Sequence, residues 1–346
     1  MSAEPKQNAG KPVAFLFAGQ GAQYTGMASE LADAWPWFRA EMDRLFAVVQ
    51  RRPEAEWMDV WLGRNETGKL LEQTAFTQPI LFAMEVALTR VWERWGVKPG
   101  AVLGHSLGEF AAAWSAGVFT AEDGMRLVTE RGHLMQTLPR NGKYVVVKGD
   151  LAEVAETVRP WKRTIAVAGV NAPQLIVVSG LREDMNRVLV DFRRRNMMVR
   201  ELPVSLPFHS PLMDPILEEF KKLSQRFEFR KVTIPWASNL TGQFLGDKEV
   251  AGPEYWRKHI REPVRFWSGM ECLANAGYEV FLEIGPGRTL VTMGKEAIGE
   301  AAGTWINSLE KGTNSREVLW KAAQRLAQDE VQVDLELARN DCCSRE

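Results

Sequence analysis

One five-residue turn constrains this chain more than any other feature. Gly104-His105-Ser106-Leu107-Gly108 stands between the apolar run AVLGH and the Ala-rich run LGEFAAAWSAG. The first reads as a strand, the second as a helix closed by Gly117. A G-x-S-x-G segment joining a strand to a helix must turn sharply, and its glycines permit that turn. The serine is thereby pushed above the edge of the sheet. The free N–H of Leu107 and the N-terminal end of the helix then face any anion formed on it. A match of this kind also arises by chance in Gly-rich turns, so the strand–turn–helix setting is what gives it weight. The setting also commits the chain to a parallel sheet with helices packed on it.

The remaining segments fit that commitment. PVAFLF (12–17) is a short apolar run ending in AGQGAQ, a buried strand and loop, and residues 79–95 begin with proline and show helical spacing. Residues 143–205 read differently: YVVVKG, TIAVAGV, LIVVSG and MMVRELPVS as strands, DLAEVAETV and REDMNRVLVDFRRRN as helices. The order β-α-β-β-α-β is that of a ferredoxin-like unit. Later PLMDPILEEFKKLSQRF reads as a helix, and YEVFLEIGPG as a strand meeting a tight loop. The expected organisation is an α/β core over 12–140 and 206–335, with a ferredoxin-like subdomain at 141–205. A flexible leader (1–11) and a polar tail (336–346) complete it.

Composition narrows the function. A net charge of −1 over 346 residues gives no global field for nucleic acid or membrane. No stretch is apolar enough to span a bilayer, and the polar start MSAEPKQNAGK is no signal peptide. Cys272, Cys342 and Cys343 form no metal-ligand spacing, which predicts no metal site and suits a reducing, cytoplasmic compartment. Cys342 and Cys343 are expected to play no structural part. Gly19-Gln20-Gly21-Ala22-Gln23-Tyr24 breaks the dinucleotide fingerprint at its last position and lacks the lysine of a phosphate loop.

A serine nucleophile needs a base, and only His105, His133, His209 and His259 are available. His105 adjoins the serine and must leave the turn in another direction, and His133 lies in a helix. His209, in LPFHSPLMD, is favoured because it sits on a loop returning to the core, with His259 second. Arg131 shares a helical stripe with Leu127, Leu134 and Leu138. A charge on an apolar face must meet an anion. That anion is either a protein carboxylate or the carboxylate of a substrate. The basic run Arg193-Arg194-Arg195 reads as a solvated helix face, with docking of an acidic protein as the second reading.

In order and spacing, FLFAGQGAQYTGM, TAFTQPILFAMEVAL, GHSLGEFAAAWSAGVF, RGHLMQ, VNAPQLIVVSG, LPFHSPLM, WRKHIREPVRF and EIGPGRTL resemble the malonyl-CoA:acyl carrier protein transacylase family. That family includes the acyltransferase domains of polyketide synthases. The resemblance implies an α/β-hydrolase-like core with a ferredoxin-like insert. It makes Ser106 the nucleophile and His209 the base, oriented by a backbone carbonyl that falls on His259. It places an oxyanion hole at the N–H groups of Gln20 and Leu107, and assigns Arg131 to the carboxylate of the acyl group. Leu206, Phe208 and Asn171 fall in the acyl pocket.

Leu206-Pro207-Phe208-His209 differs from the His-Ala-Phe-His of malonate selectors and the Tyr-Ala-Ser-His of methylmalonate selectors. NGKYVVVKG stands where many relatives carry a Gly-Ala or Met-Gly-Ala segment. The implied reaction carries a malonyl-type group from coenzyme A, through an acyl-serine, to the thiol of an acyl carrier protein. It needs no bound cofactor, and a monomer acting in trans is expected. The rivals are an acyl-carrier hydrolase built on the same serine and a silent docking module.

Overall fold

The computed structural model describes residues 10–49, 56–246 and 249–343. Among the described residues nine strands form two sheets. The strands are β1 (Val13–Phe17), β2 (Pro99–Gly104), β3 (Gly142–Lys148), β4 (Ile165–Ala172), β5 (Leu175–Leu181), β6 (Met198–Leu202), β7 (Trp236–Ala237), β8 (Val280–Ile284) and β9 (Thr304–Asn307). The larger sheet runs β7-β2-β1-β8-β9 with every neighbouring pair parallel. All five residues of β1 and of β8 are buried, as expected of strands covered by helices on both faces. Register pairs Phe17 with both Gly104 and Ile284, so the strand ends after Phe17, Gly104 and Ile284 lie at one edge. In parallel α/β sheets that carboxyl edge is where ligands are received.

The second sheet is antiparallel, in the order β4-β5-β3-β6. With its helices Leu151–Val158 and Arg182–Arg194 it has the ferredoxin-like arrangement that the element order predicts. Period-two alternation sorts its faces. Val145 and Val147 of β3 are buried in a cluster with Val154, Met185, Val188 and Phe192 of the two helices. Tyr144 and Val146 therefore point to the opposite face.

Two expectations are corrected. The helix placed at 79–95 spans Thr74–Arg94, with Pro79 inside it. Proline lacks an N–H but sits only in the second turn, where it interrupts a single bond of the ladder. The tail at 336–346 is mostly a helix, Leu335–Cys343, and Ala338 and Cys342 are buried against the main core. Spaced four apart, they make one small apolar face. Asp341 between them accepts hydrogen bonds from the Trp95 indole (2.8 Å) and from Arg94 (3.0 Å). A reading by composition scores Asp341 and Cys342 as polar tail and misses both contacts. Of the leader, residues 1–9 lie outside the described residues. The N–H of Lys11 donates to the Glu330 carbonyl (3.0 Å).

Candidate active site

The turn after β2 folds as the sequence requires. A Cβ at Gly104 would come 2.2 Å from the nitrogen of Glu109, and one at Gly108 would come 2.1 Å from the carbonyl oxygen of Phe17. Both positions therefore exclude any larger residue. Ser106 adopts φ 52° and His209 φ 55°, the left-handed region that costs a non-glycine residue about 1–3 kcal/mol and persists only where surroundings enforce it.

At Ser106 the enforcement comes from Asn239. Its Oδ1 accepts the Ser106 N–H (2.8 Å), and its Nδ2 donates to the Gly104 carbonyl (2.6 Å). One amide thus bridges the two peptides that flank His105 and fixes the backbone leading into the strained serine. Asn239 is fixed in turn by its own N–H, which donates to Glu109 Oε1 (2.7 Å). The Tyr255 hydroxyl donates to the same oxygen. Burial pushes the Glu109 carboxyl up to about 8, so at neutral pH this acid is mostly uncharged.

The Ser106 hydroxyl lies 2.8 Å from His209 Nε2, and His209 Nδ1 lies 2.9 Å from the Glu262 carbonyl oxygen. A carbonyl only accepts, so Nδ1 carries the proton and Nε2 is free to take the serine's. The orienting carbonyl was expected at His259 and is found at Glu262. The helix Pro253–Arg261 ends there, and Glu262 turns to an extended conformation (ψ 157°), which swings its carbonyl out of the helix. The His259 carbonyl also favours the charged imidazole, less than that of Glu262 does. The His259 side chain is not the serine's partner. Its ring stands edge-on to His209 with centroids 6.0 Å apart, and neither of its nitrogens has a hydrogen-bond partner. Burial first, then the charge of Arg131, lower His209 to about 3. His209 is therefore neutral in the resting protein.

Arg131 is 1% exposed. It lies on the helix Ala121–Gln136, whose start is capped by the Thr120 hydroxyl accepting from the Asp123 N–H (3.1 Å). No carboxylate pairs with it among the described residues, and its Nε and Nη2 have no hydrogen-bond partner. Its guanidinium lies 5.6 Å from the centre of the Phe110 ring, and burial lowers its pKa to about 9. The protein-carboxylate reading of the sequence thus finds no carboxylate.

Around this centre, Gln20 follows β1. Gly19 lies so close to the elbow that a Cβ there would sit 2.6 Å from the His105 carbonyl oxygen. The N–H groups of Gln20 and Leu107 donate to no protein acceptor among the described residues. Asn171 binds the neighbour of the serine: its Oδ1 accepts from His105 Nε2 (2.9 Å). Leu206 is buried in the main hydrophobic cluster, and half-buried Phe208 packs against that cluster's edge. Arg193, Arg194 and Arg195 are exposed, Arg194 beside Asp191 at 3.4 Å.

Comparison with known proteins settles the family. Residues 14–331 match the family model described as the acyl transferase domain. The chain belongs to that family. It is 41% identical over 290 residues to the spectinabilin polyketide synthase system protein NorB of Streptomyces orinoci, covering 83% of this chain and 13% of that one. It is 40% identical over 304 residues to the mycoketide-CoA synthase of Mycobacterium tuberculosis, covering 88% and 7%. The acyl transferase chain thus spans a small part of these relatives.

Among solved structures, the acyltransferase domain from the second module of the salinomycin polyketide synthase superposes with a TM-score of 0.88 at 35% identity. That match covers 98% of this chain and 79% of that one. The malonyl CoA-acyl carrier protein transacylase from Clostridium perfringens gives a TM-score of 0.82 at 27% identity, covering 92% and 98%. The parallel core with a small antiparallel sheet is the acyl transferase architecture.

Sequence reasoning missed Asn239, Glu109 and Tyr255. The signal for Glu109 was present: an acid inside the apolar helix Gly108–Ser115 is as anomalous as an arginine on an apolar stripe.

Proposed function

We propose that this acyl transferase moves a malonyl-type group from coenzyme A, through an ester on Ser106, to the phosphopantetheine thiol of an acyl carrier protein. The observation that carries this reading is Arg131, buried and without an anion among the described residues, near enough to a hydrogen-bonded serine–histidine pair for its charge to act on His209. A buried guanidinium needs a partner, and a malonyl carboxylate supplies it.

In the first half-reaction His209 Nε2 takes the Ser106 proton as Oγ attacks the thioester carbonyl carbon. The oxygen that becomes negative lies toward the N–H groups of Gln20 and Leu107. The carbon–sulfur bond breaks, and the departing coenzyme A sulfur receives the proton from His209. In the second half the carrier thiol gives its proton to His209, its sulfur attacks the ester carbon, and Ser106 Oγ leaves and regains the proton.

The substrate also tunes the base. Arg131 opposes protonation of His209. A bound carboxylate offsets that charge, so His209 becomes more basic when a dicarboxylic acyl group is in place. A hydrolase would leave the guanidinium without a partner, and the intact Ser106–His209 contact does not suit a silent docking module. The reaction as written uses no bound cofactor and suits a monomer in the cytoplasm. No described helix is long and apolar enough to cross a membrane.

The test is intact-mass analysis after mixing the protein with malonyl-, methylmalonyl- and acetyl-CoA and a carrier protein. Malonyl should appear on the enzyme, then on the carrier, and Ser106→Ala should abolish both. A malonyl adduct persisting on Ser106→Ala would assign the nucleophile elsewhere.

A further inference from the structure

Tyr144 stands in NGKYVVVKG, the stretch in which this chain departs from the pattern of the family it resembles. It lies on β3, on the face turned away from the helices of the small unit, because Val145 and Val147 take the other face. Its ring meets Phe208 edge-on, with centroids 6.3 Å apart and planes at 70°. Phe208 directly precedes His209. Tyr144 and Arg131 act on each other electrostatically: the phenol favours the charged guanidinium, and the guanidinium opposes the rise that burial imposes on the phenol. The phenol is thus within electrostatic range of the guanidinium. The hydroxyl is neutral there, because burial raises it well above its ordinary value. Among the described residues, Nε and Nη2 of Arg131 have no hydrogen-bond partner.

We propose that Tyr144 is a specificity residue of the acyl pocket: its hydroxyl donates to the substrate carboxylate held by Arg131, and its ring fills the space that a branched α-carbon would need. The inference rests on the malonyl-type reading and extends it from the charge of the acyl group to its shape. The small sheet then supplies one wall of the pocket through Tyr144, and the core supplies Phe208, Ser106, His209 and Arg131.

The experiment compares wild type, Tyr144→Phe and Tyr144→Ala for the rate of self-acylation by malonyl-, methylmalonyl- and acetyl-CoA, with a melting curve for each. Tyr144→Phe removes one hydrogen bond to a charged acceptor. It should lower malonyl kcat/KM by about ten- to a hundredfold and leave acetyl unchanged. Tyr144→Ala should raise the methylmalonyl-to-malonyl ratio at least about tenfold, as expected when a bulky wall is removed.

Wild-type ratios in both variants, with malonyl still accepted by the wild type, would overturn the assignment of Tyr144 and leave the malonyl reading intact. So would equal losses for all three substrates with a lowered melting temperature, which would mark a structural residue. A wild type that accepts acetyl but not malonyl would remove the malonyl reading, and the Tyr144 assignment with it.

Discussion

Replacing Arg131 by alanine separates a substrate clamp from a packing residue. The guanidinium is 1% exposed, so solvent screens it little, and Nε and Nη2 are unpartnered. With acetyl bound, the charge stays buried and unpaired; with malonyl bound, it is paired. Leaving a buried charge without its partner costs about 3–5 kcal/mol. At about 1.4 kcal/mol per factor of ten, this is a preference of roughly a hundred- to a few-thousandfold for malonyl over acetyl. The Phe110 ring, 5.6 Å from the guanidinium, offsets part of the cost in the acetyl complex. The lower half of the range is therefore expected.

Arg131→Ala should erase the preference. Malonyl kcat/KM should fall by about a hundredfold or more. Acetyl kcat/KM should hold or rise, because His209 also loses the positive charge that opposes its protonation. Steady-state kinetics with both acyl-CoAs, beside a melting curve, makes the measurement. Equal losses for the two substrates with a lowered melting temperature would refute the clamp.

Two further outcomes follow from the elbow and the base. Asn239→Ala removes the amide that spans Gly104 and Ser106, and should lower kcat by about ten- to a hundredfold with little change in KM; an unchanged kcat would show that the backbone holds the strained serine without it. His209, held near 3 in the fold against about 6.5 unfolded, should keep kcat/KM flat between about pH 5 and 7.5. The same depression makes the unfolded chain bind the extra proton, so its contribution to stability is complete above about pH 6.5 and is lost as pH falls toward about 3. An acid limb in kcat/KM near 6.5 would refute the buried, neutral base.

Much of this was legible in the sequence, for physical reasons that can be named. Gly104 and Gly108 admit no Cβ, so the turn around Ser106 is written in residue type. Arg131 was found because a charge on an apolar stripe is costly wherever it occurs. Applied to Glu109, the same rule would have found the support of the elbow. Asn239 carried no such mark: a polar residue in a Ser-Asn-Leu-Thr-Gly loop looks like any other turn. The carbonyl that orients His209 was misplaced by three residues, because a backbone group leaves no trace in residue type. Its direction depends on where the helix Pro253–Arg261 stops. The final helix was missed because its holding contacts are indole N–H groups of Trp35 and Trp95, remote in sequence, converging on Asp341.

The chain's first and last described stretches meet. Gly10 packs so closely on residues 330–332 that a Cβ there would sit 2.7 Å from the Glu330 oxygen and the Gln332 nitrogen, and Lys11 is bonded to Glu330. The polypeptide thus enters this fold and quits the Ser315–Gln328 helix at one spot on the surface. The start of β1 and the end of that helix are thus tied to each other, and the last helix is tied in turn to Trp35 and Trp95. As a cassette for exchange with a homologous body, the fold must therefore include the helix Leu335–Cys343, whose Asp341 is bonded to Trp35 and Trp95.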